Sequence, residues 1–108
     1  MEDIKFEESS GNVFTDLELS EPDERLAKAD LAAKIAQIIS KRHLSQSQAA
    51  ELLGISQPKV SMIMNGRLKN FSMEKLMILM MALNRDIEIV VKLKPKKQKH
   101  GRLRVVYA

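Results

Sequence analysis

The stretch QSQAAELLGISQPKVSMIMN, residues 46–65, constrains the fold more than any other part of the chain. Two short segments with apolar residues at helical spacing flank a single glycine, Gly54, which suits a tight turn. Ala50 supplies the small side chain that two crossing helices need, because a larger one would push them apart. The apolar residues that would hold the second helix against the first are present as well: Ile55, Val60 and Ile63. The stretch therefore predicts a helix-turn-helix.

Serine residues precede each of four predicted helices. Ser20 precedes a first helix that runs to about Arg42, and Ser45 with Gln48 predicts a capping box at the second. Ser56, with Pro58 in the first turn, caps a third helix, and Ser72 caps a fourth. The predicted inward side chains are Leu31, Ile35, Ile38 and Ile39 in the first helix, Ala49, Leu52 and Leu53 in the second, Val60, Ile63 and Met64 in the third, and Leu76, Leu79, Met80 and Leu83 in the fourth.

The hydrophobic period changes after Asn84. The segment DIEIVVKL alternates, which predicts a strand with four apolar residues on one face: Ile87, Ile89, Val91 and Leu93. This strand could pair with residues 103–107 in a hairpin, or with the same strand of a second copy in a homodimer. The expected fold class is mainly α, a four-to-five-helix bundle with a helix-turn-helix plus a C-terminal β-strand or hairpin.

Charge is distributed unevenly along the chain. Residues 1–24 hold nine acids and one base, and residues 25–108 hold 17 bases and five acids, so the net charges are −8 and +12. We therefore expect three parts: an acidic flexible arm (1–20), a helix-turn-helix DNA-binding domain (21–85), and a strand with a basic tail for dimerisation (86–108). The net charge of +12 on residues 25–108 favours binding to a polyanion.

Several classes of function are disfavoured. The chain has no cysteine, and its two histidines, His43 and His100, have no companions at metal-ligand spacing, so no metal or cofactor is expected. The pattern Ser56-x-x-Lys59 matches a catalytic motif, but the serine is better explained as a helix cap, so we expect no enzyme. The acidic N-terminus is unlike a signal peptide and no long apolar run exists, which together favour a cytoplasmic protein without membrane contact.

A helix-turn-helix places its second helix in the major groove of double-stranded DNA. The outward polar residues of that helix are therefore expected near base edges: Gln57, Lys59, Ser61 and Asn65. Arg67, in the segment that follows, is an additional DNA-binding candidate.

On these residues the stretch resembles the helix-turn-helix of the XRE family, the Cro and cI repressor type. The resemblance implies that Gln46 contacts phosphate, that Gln57, Pro58 and Met62 face bases, and that the surrounding positions line the interface: Ser56, Lys59, Ser61 and Asn65. Pro58 and Met62 depart from the polar residues common in the family. Apolar side chains can contact only thymine methyl groups, so specificity would depend on Gln57, Lys59 and Ser61.

A wider resemblance covers most of the chain. Four features resemble the short HigA-type antitoxins: the segment GNVFTDL, the long first helix, the helix-turn-helix, and IEIVVK with its basic tail. That resemblance implies a repressor of its own operon that neutralises a small, basic, RelE-like ribonuclease toxin. The arm would bind the toxin through four apolar residues: Val13, Phe14, Leu17 and Leu19. The alternatives are a stand-alone regulator without a toxin and a protein-interaction module that does not use DNA.

Overall fold

Four α-helices form the body of the part of the chain that the structure describes. The computed structural model describes residues 21–108. The helices are α1 (Glu21–Lys41), α2 (Gln46–Leu53), α3 (Gln57–Met64) and α4 (Met73–Ala82). The expectations for the arm, residues 1–20, and for its apolar residues Val13, Phe14, Leu17 and Leu19 lie outside the described residues.

Side-chain caps explain where α2, α3 and α4 begin. At α2, the hydroxyl of Ser45 accepts from the Gln48 amide at 3.0 Å, and the Gln48 side chain accepts from the Ser45 amide at 2.8 Å, so the predicted capping box is confirmed. Ser56 Oγ accepts from Lys59 N at 3.3 Å and Ser72 Oγ from Lys75 N at 3.0 Å. Each cap satisfies a main-chain donor that the first helical turn leaves without a partner.

The turn between α2 and α3 depends on a left-handed residue. Gly54 has φ 71° and ψ 30°, and its amide donates to the carbonyl oxygen of Ala50 at 2.9 Å. Ile55 donates to the same oxygen at 3.1 Å, which completes the end of α2. A side chain at Gly54 would meet no neighbouring atom within 4 Å, so the backbone angle rather than space favours glycine there.

The core is formed where α1 packs against α4 and α3, and where α2 packs against α3. The residues whose predicted burial is confirmed are Leu31, Ile35, Ile38, Ile39, Ala49, Leu53, Val60, Ile63, Leu76, Leu79, Met80 and Leu83. Met64 is half-buried against this core. Leu52 is a predicted core residue that is 41% exposed, so that prediction is wrong. Ala49 and Leu53 already cover the inner side of the short α2, which leaves Leu52 facing outward.

The predicted C-terminal β-strand or hairpin is wrong. Residues 86–108 form neither a helix nor a strand, and within the described part of the chain their one main-chain to main-chain hydrogen bond joins Gln98 N to Pro95 O at 3.1 Å. Ile87 is half-buried against the core, whereas Ile89, Val91 and Leu93 are 78%, 90% and 95% exposed. The architecture of the described chain is therefore all-α.

The segment that the strand would pair with in a hairpin, residues 103–107, packs against the core and α1 instead, and like charges add to the cost of pairing. A hairpin over residues 95–101 would place Lys92 opposite Arg104 and Lys94 opposite Arg102. Like charges at directly opposite positions destabilise paired strands. The alternation of apolar residues is typical of a strand, but a segment becomes a strand only where a second segment accepts its hydrogen bonds.

Candidate nucleic-acid interface

The outer face of α3 is the candidate interface. Gln57, Pro58 and Lys59 occupy the first turn of this helix and are all exposed. Ser61 and Met62 lie one turn further along and are half-buried. A partner that approaches this face would first contact an amide, a pyrrolidine ring and an ammonium group, which can respectively hydrogen-bond, contact methyl groups and bind phosphate.

The opposite face of α3 fixes how the helix is presented. Val60 is 0% exposed and Ile63 is 2% exposed, so both side chains are fully packed in the core. Two residues of an eight-residue helix that are buried three positions apart define one inward direction. The residues between and beside them are consequently held outward by packing rather than by their own contacts.

The C-terminal end of α3 contains the side-chain pair Ser61 and Asn65. The Asn65 amide nitrogen donates to the carbonyl oxygen of Ser61 at 2.9 Å and to its hydroxyl oxygen at 3.3 Å. Asn65 thus caps its own helix, and only its carbonyl oxygen remains to accept a bond from another group. The Ser61 hydroxyl accepts from Asn65 and keeps its proton to donate.

Two further candidates flank α3. Gln46 is exposed as the first residue of α2, beside main-chain amides that the helix leaves without internal partners. Arg67 is exposed after Gly66, and its main-chain amide donates to Met62 O at 2.8 Å, which holds the segment against the end of α3. The helix N-terminus and the guanidinium group are both suited to phosphate.

The four predicted dimerisation residues of the C-terminal segment differ in how exposed they are. Ile89, Val91 and Leu93 extend into solvent, whereas Ile87 contacts the core. The four predicted dimerisation residues therefore divide into one that stabilises the body and three that are available to a second molecule.

Sequence reasoning misses the contact that returns the C-terminus to the body. The hydroxyl of Tyr107 donates to the main-chain carbonyl of Asp30 on α1 at 2.9 Å, and the ammonium of Lys34 lies 5.2 Å from the centre of its ring. Burial, together with the nearby Asp30 carboxylate, raises the pKa of Tyr107 above its ordinary value. The only sequence signal is a lone tyrosine in a β-prone run.

Residues 21–108 offer neither a metal site nor a membrane span. This part of the chain has no cluster of three or more histidine, cysteine or acidic side chains that could hold a metal ion. None of its helices combines the length and the apolar character that crossing a bilayer requires.

Comparisons with known proteins agree with this geometry. Residues 13–92 match a family model described as a helix-turn-helix domain. A solved structure of a candidate XRE family transcriptional regulator is 44% identical, with a TM-score of 0.77 over 82% of this chain and 100% of that one. No curated protein matches.

Proposed function

The chain belongs to the XRE family of helix-turn-helix transcriptional regulators, and we propose that it represses transcription by sequence-specific binding of α3 to an operator. The observation that carries the proposal is the exposed first turn of α3, Gln57 to Lys59, on a helix whose inner face is fully buried. A rigidly held helix with hydrogen-bonding and cationic side chains at its N-terminal end matches the way such helices read the major groove.

Within this interface we assign different roles to the side chains. Gln57 reads a base through its amide, and Pro58 and Met62 contact thymine methyl groups. Lys59, Arg67 and Gln46 contact phosphate and position the helix without adding sequence information. Ser56 and Asn65 act mainly by capping α3, and Ser61 donates its hydroxyl proton.

The test is selection of duplexes from a random-sequence library by the wild-type protein, followed by titration of the selected duplex. Gln57→Ala should cost about 1–3 kcal/mol and relax preference at one base position. Gln37→Ala is the matched control, because it changes an exposed glutamine on α1 outside the helix-turn-helix. Unchanged sequence preference after loss of Gln57, Lys59 and Ser61 together would favour the protein-interaction module instead.

We further propose that the regulator acts as an antitoxin, with residues 1–20 binding a small, basic, RelE-like ribonuclease. The acidic charge of the arm and its four apolar residues, Val13, Phe14, Leu17 and Leu19, support this proposal. The described surface at the start of α1 supports it as well. Leu26 is 63% exposed on α1 and lines a groove of about 820 Å³ with Pro22 and Leu68.

Self-association completes the proposed function. Ile89, Val91 and Leu93 are exposed large apolar side chains within five residues, a combination that a lone molecule in water does not favour. We propose that they are buried against the same residues of a second copy. A homodimer would place two α3 helices on successive half-sites about 34–36 Å apart, which is one turn of DNA.

A further inference from the structure

Residues 92–104, here called the basic loop, carry an unusual concentration of positive charge. Seven of these 13 residues are lysine or arginine and none is acidic. All seven side chains are exposed: Lys92, Lys94, Lys96, Lys97, Lys99, Arg102 and Arg104. None of them forms an ion pair with an acidic side chain in residues 21–108, so this charge is uncompensated within the described chain.

The basic loop is held at both ends. Before it, Ile87 packs against the core, and Leu103 and Val105 do so at its end and just beyond. Tyr107 then binds the α1 carbonyl of Asp30 at 2.9 Å. A merely solvated tail of like charges would lower its energy by extending away from the body, but these contacts return the chain and concentrate the cations in one place.

Hydrogen bonds inside the basic loop keep its turn closed. The Gln98 amide donates to Pro95 O at 3.1 Å, and the Gln98 side chain donates to His100 O at 2.7 Å. The Lys94 ammonium donates to Gln98 O at 2.7 Å. These bonds use main-chain carbonyl groups and the Lys94 ammonium. The other six cationic side chains of the loop do not hold the turn and remain exposed.

We propose that the basic loop is a second DNA-binding element, which contacts phosphates of the duplex outside the base pairs that α3 reads. The proposal rests on the proposed function for its choice of polyanion. Because the loop and α3 belong to one body, a duplex that is long enough to reach both can contact the loop while α3 is bound. Ammonium and guanidinium groups on phosphate add affinity and salt dependence but no base preference.

The experiment compares two double variants of equal charge. Lys96→Gln/Lys97→Gln removes adjacent cations from the loop, and Lys41→Gln/Arg42→Gln removes adjacent exposed cations from the end of α1. Binding to the library-selected duplex and to an unrelated duplex is measured across a range of salt concentrations. The loop variant should lower the slope of log K against log salt by about 0.9 for each lost phosphate contact, equally on both duplexes. The α1 variant should keep the wild-type slope.

Failure of this inference and failure of the proposed function are distinguishable. If α3 does not read DNA, the wild-type protein shows no preference between the two duplexes, yet the loop effect is still measurable on the unrelated one. A loop variant with the wild-type salt slope, or an equal change in the α1 variant, overturns the inference. A loop variant that loses binding to single-stranded RNA but keeps its binding to both duplexes also overturns the inference, because the loop would then bind RNA rather than DNA.

The length of the duplex gives a second readout. Extending the selected site with unrelated flanking base pairs should raise the affinity of the wild-type protein, because the loop gains phosphates to contact. The loop variant should gain less from the same extension. An equal gain for both proteins contradicts a contact outside the base pairs that α3 reads.

Discussion

The phenol of Tyr107 donates a 2.9 Å hydrogen bond to the main-chain carbonyl of Asp30, a residue 77 positions earlier in the chain. This bond joins the C-terminus to the middle of α1 and returns the basic loop to the body. Lys34, one helical turn after Asp30, adds a cation–π contact to the same ring. The end of the chain is thus part of the fold, although it contains no regular secondary structure.

The ionisation of Tyr107 should report this contact. Burial and the Asp30 carboxylate raise its pKa above 10.0, so the contribution of the neutral phenol to stability is fully present below that pH and is lost as pH rises through the folded pKa. The protein has one tyrosine and no tryptophan, so the ultraviolet absorbance of tyrosinate follows this residue alone. The wild-type midpoint should lie above 10.0, and Asp30→Asn should lower it.

Two controls accompany the titration. Protein unfolded in denaturant should titrate at the ordinary value of tyrosine, since both causes of the shift disappear. Asp30→Asn isolates the charge of the carboxylate, because it leaves the main-chain acceptor of the Tyr107 hydrogen bond in place. A folded midpoint at or below 10.0 would mean that the ring is not docked on α1.

The pair Ser61 and Asn65 gives a second prediction. Asn65→Ala removes two hydrogen bonds from the end of α3, and we expect a loss of about 0.5–1.5 kcal/mol in the free energy of unfolding. The Ser61 hydroxyl, freed from Asn65, can then rotate. We therefore expect a weaker preference for the selected duplex over an unrelated one, and a larger change than the loss of folding stability alone would cause. Urea denaturation and duplex titration measure the two effects, and Asn70→Ala, an exposed asparagine in the next loop, is the control.

Gly54 allows a test of the turn by backbone conformation alone. Gly54→Ala puts a β-carbon on a residue with φ 71°, and the left-handed conformation costs roughly 1–2 kcal/mol there. Gly101→Ala is the matched control, since a side chain at either glycine meets no atom within 4 Å. Thermal unfolding should show a lower melting temperature for the first variant only. Equal stability of the two variants would contradict a role for the left-handed turn.

The range of the forces involved decides which features of the fold can be predicted from the sequence. Helix starts at Ser45, Ser56 and Ser72 depend on contacts three residues away, so local patterns predict them. The strand prediction is wrong because residues 103–107, which would complete a hairpin, pack against the core and α1 instead, and no local pattern signals this. The Tyr107 contact escapes sequence reasoning for the same reason, since no local pattern connects residues 77 positions apart.

Candidate site residues are predicted unevenly for a related reason. The spacing of Gly54, Val60 and Ile63 defines the outward face of α3, so the exposure of Gln57 and Lys59 can be foreseen. The engagement of the Asn65 side chain with Ser61 cannot, because asparagine at a helix end serves equally as a cap or as a contact residue.

If residues 89–93 form the dimer contact, substitutions at Val91 and at Glu88 should have different effects. Val91 is 90% exposed, so Val91→Asp should leave the fold intact and produce a monomer that binds the selected duplex weakly. Glu88→Lys, at a neighbouring exposed position, is the control and should remain dimeric. Sedimentation at micromolar concentration measures both. A monomeric wild-type protein, or a dimeric Val91→Asp variant, would exclude this segment as the dimer contact.

Removal of residues 1–20 separates the two proposed activities. We expect the shortened protein to keep cooperative thermal unfolding, because the described core lies between Ala27 and Leu83. It should no longer neutralise a RelE-like ribonuclease in a co-expression growth assay. Its affinity for the selected duplex should rise at low salt, because residues 1–20 hold six acids and one lysine, a net charge of −5 that repels phosphate, and this gain should vanish as salt screens the charge. Loss of cooperative unfolding would instead make the arm part of the core.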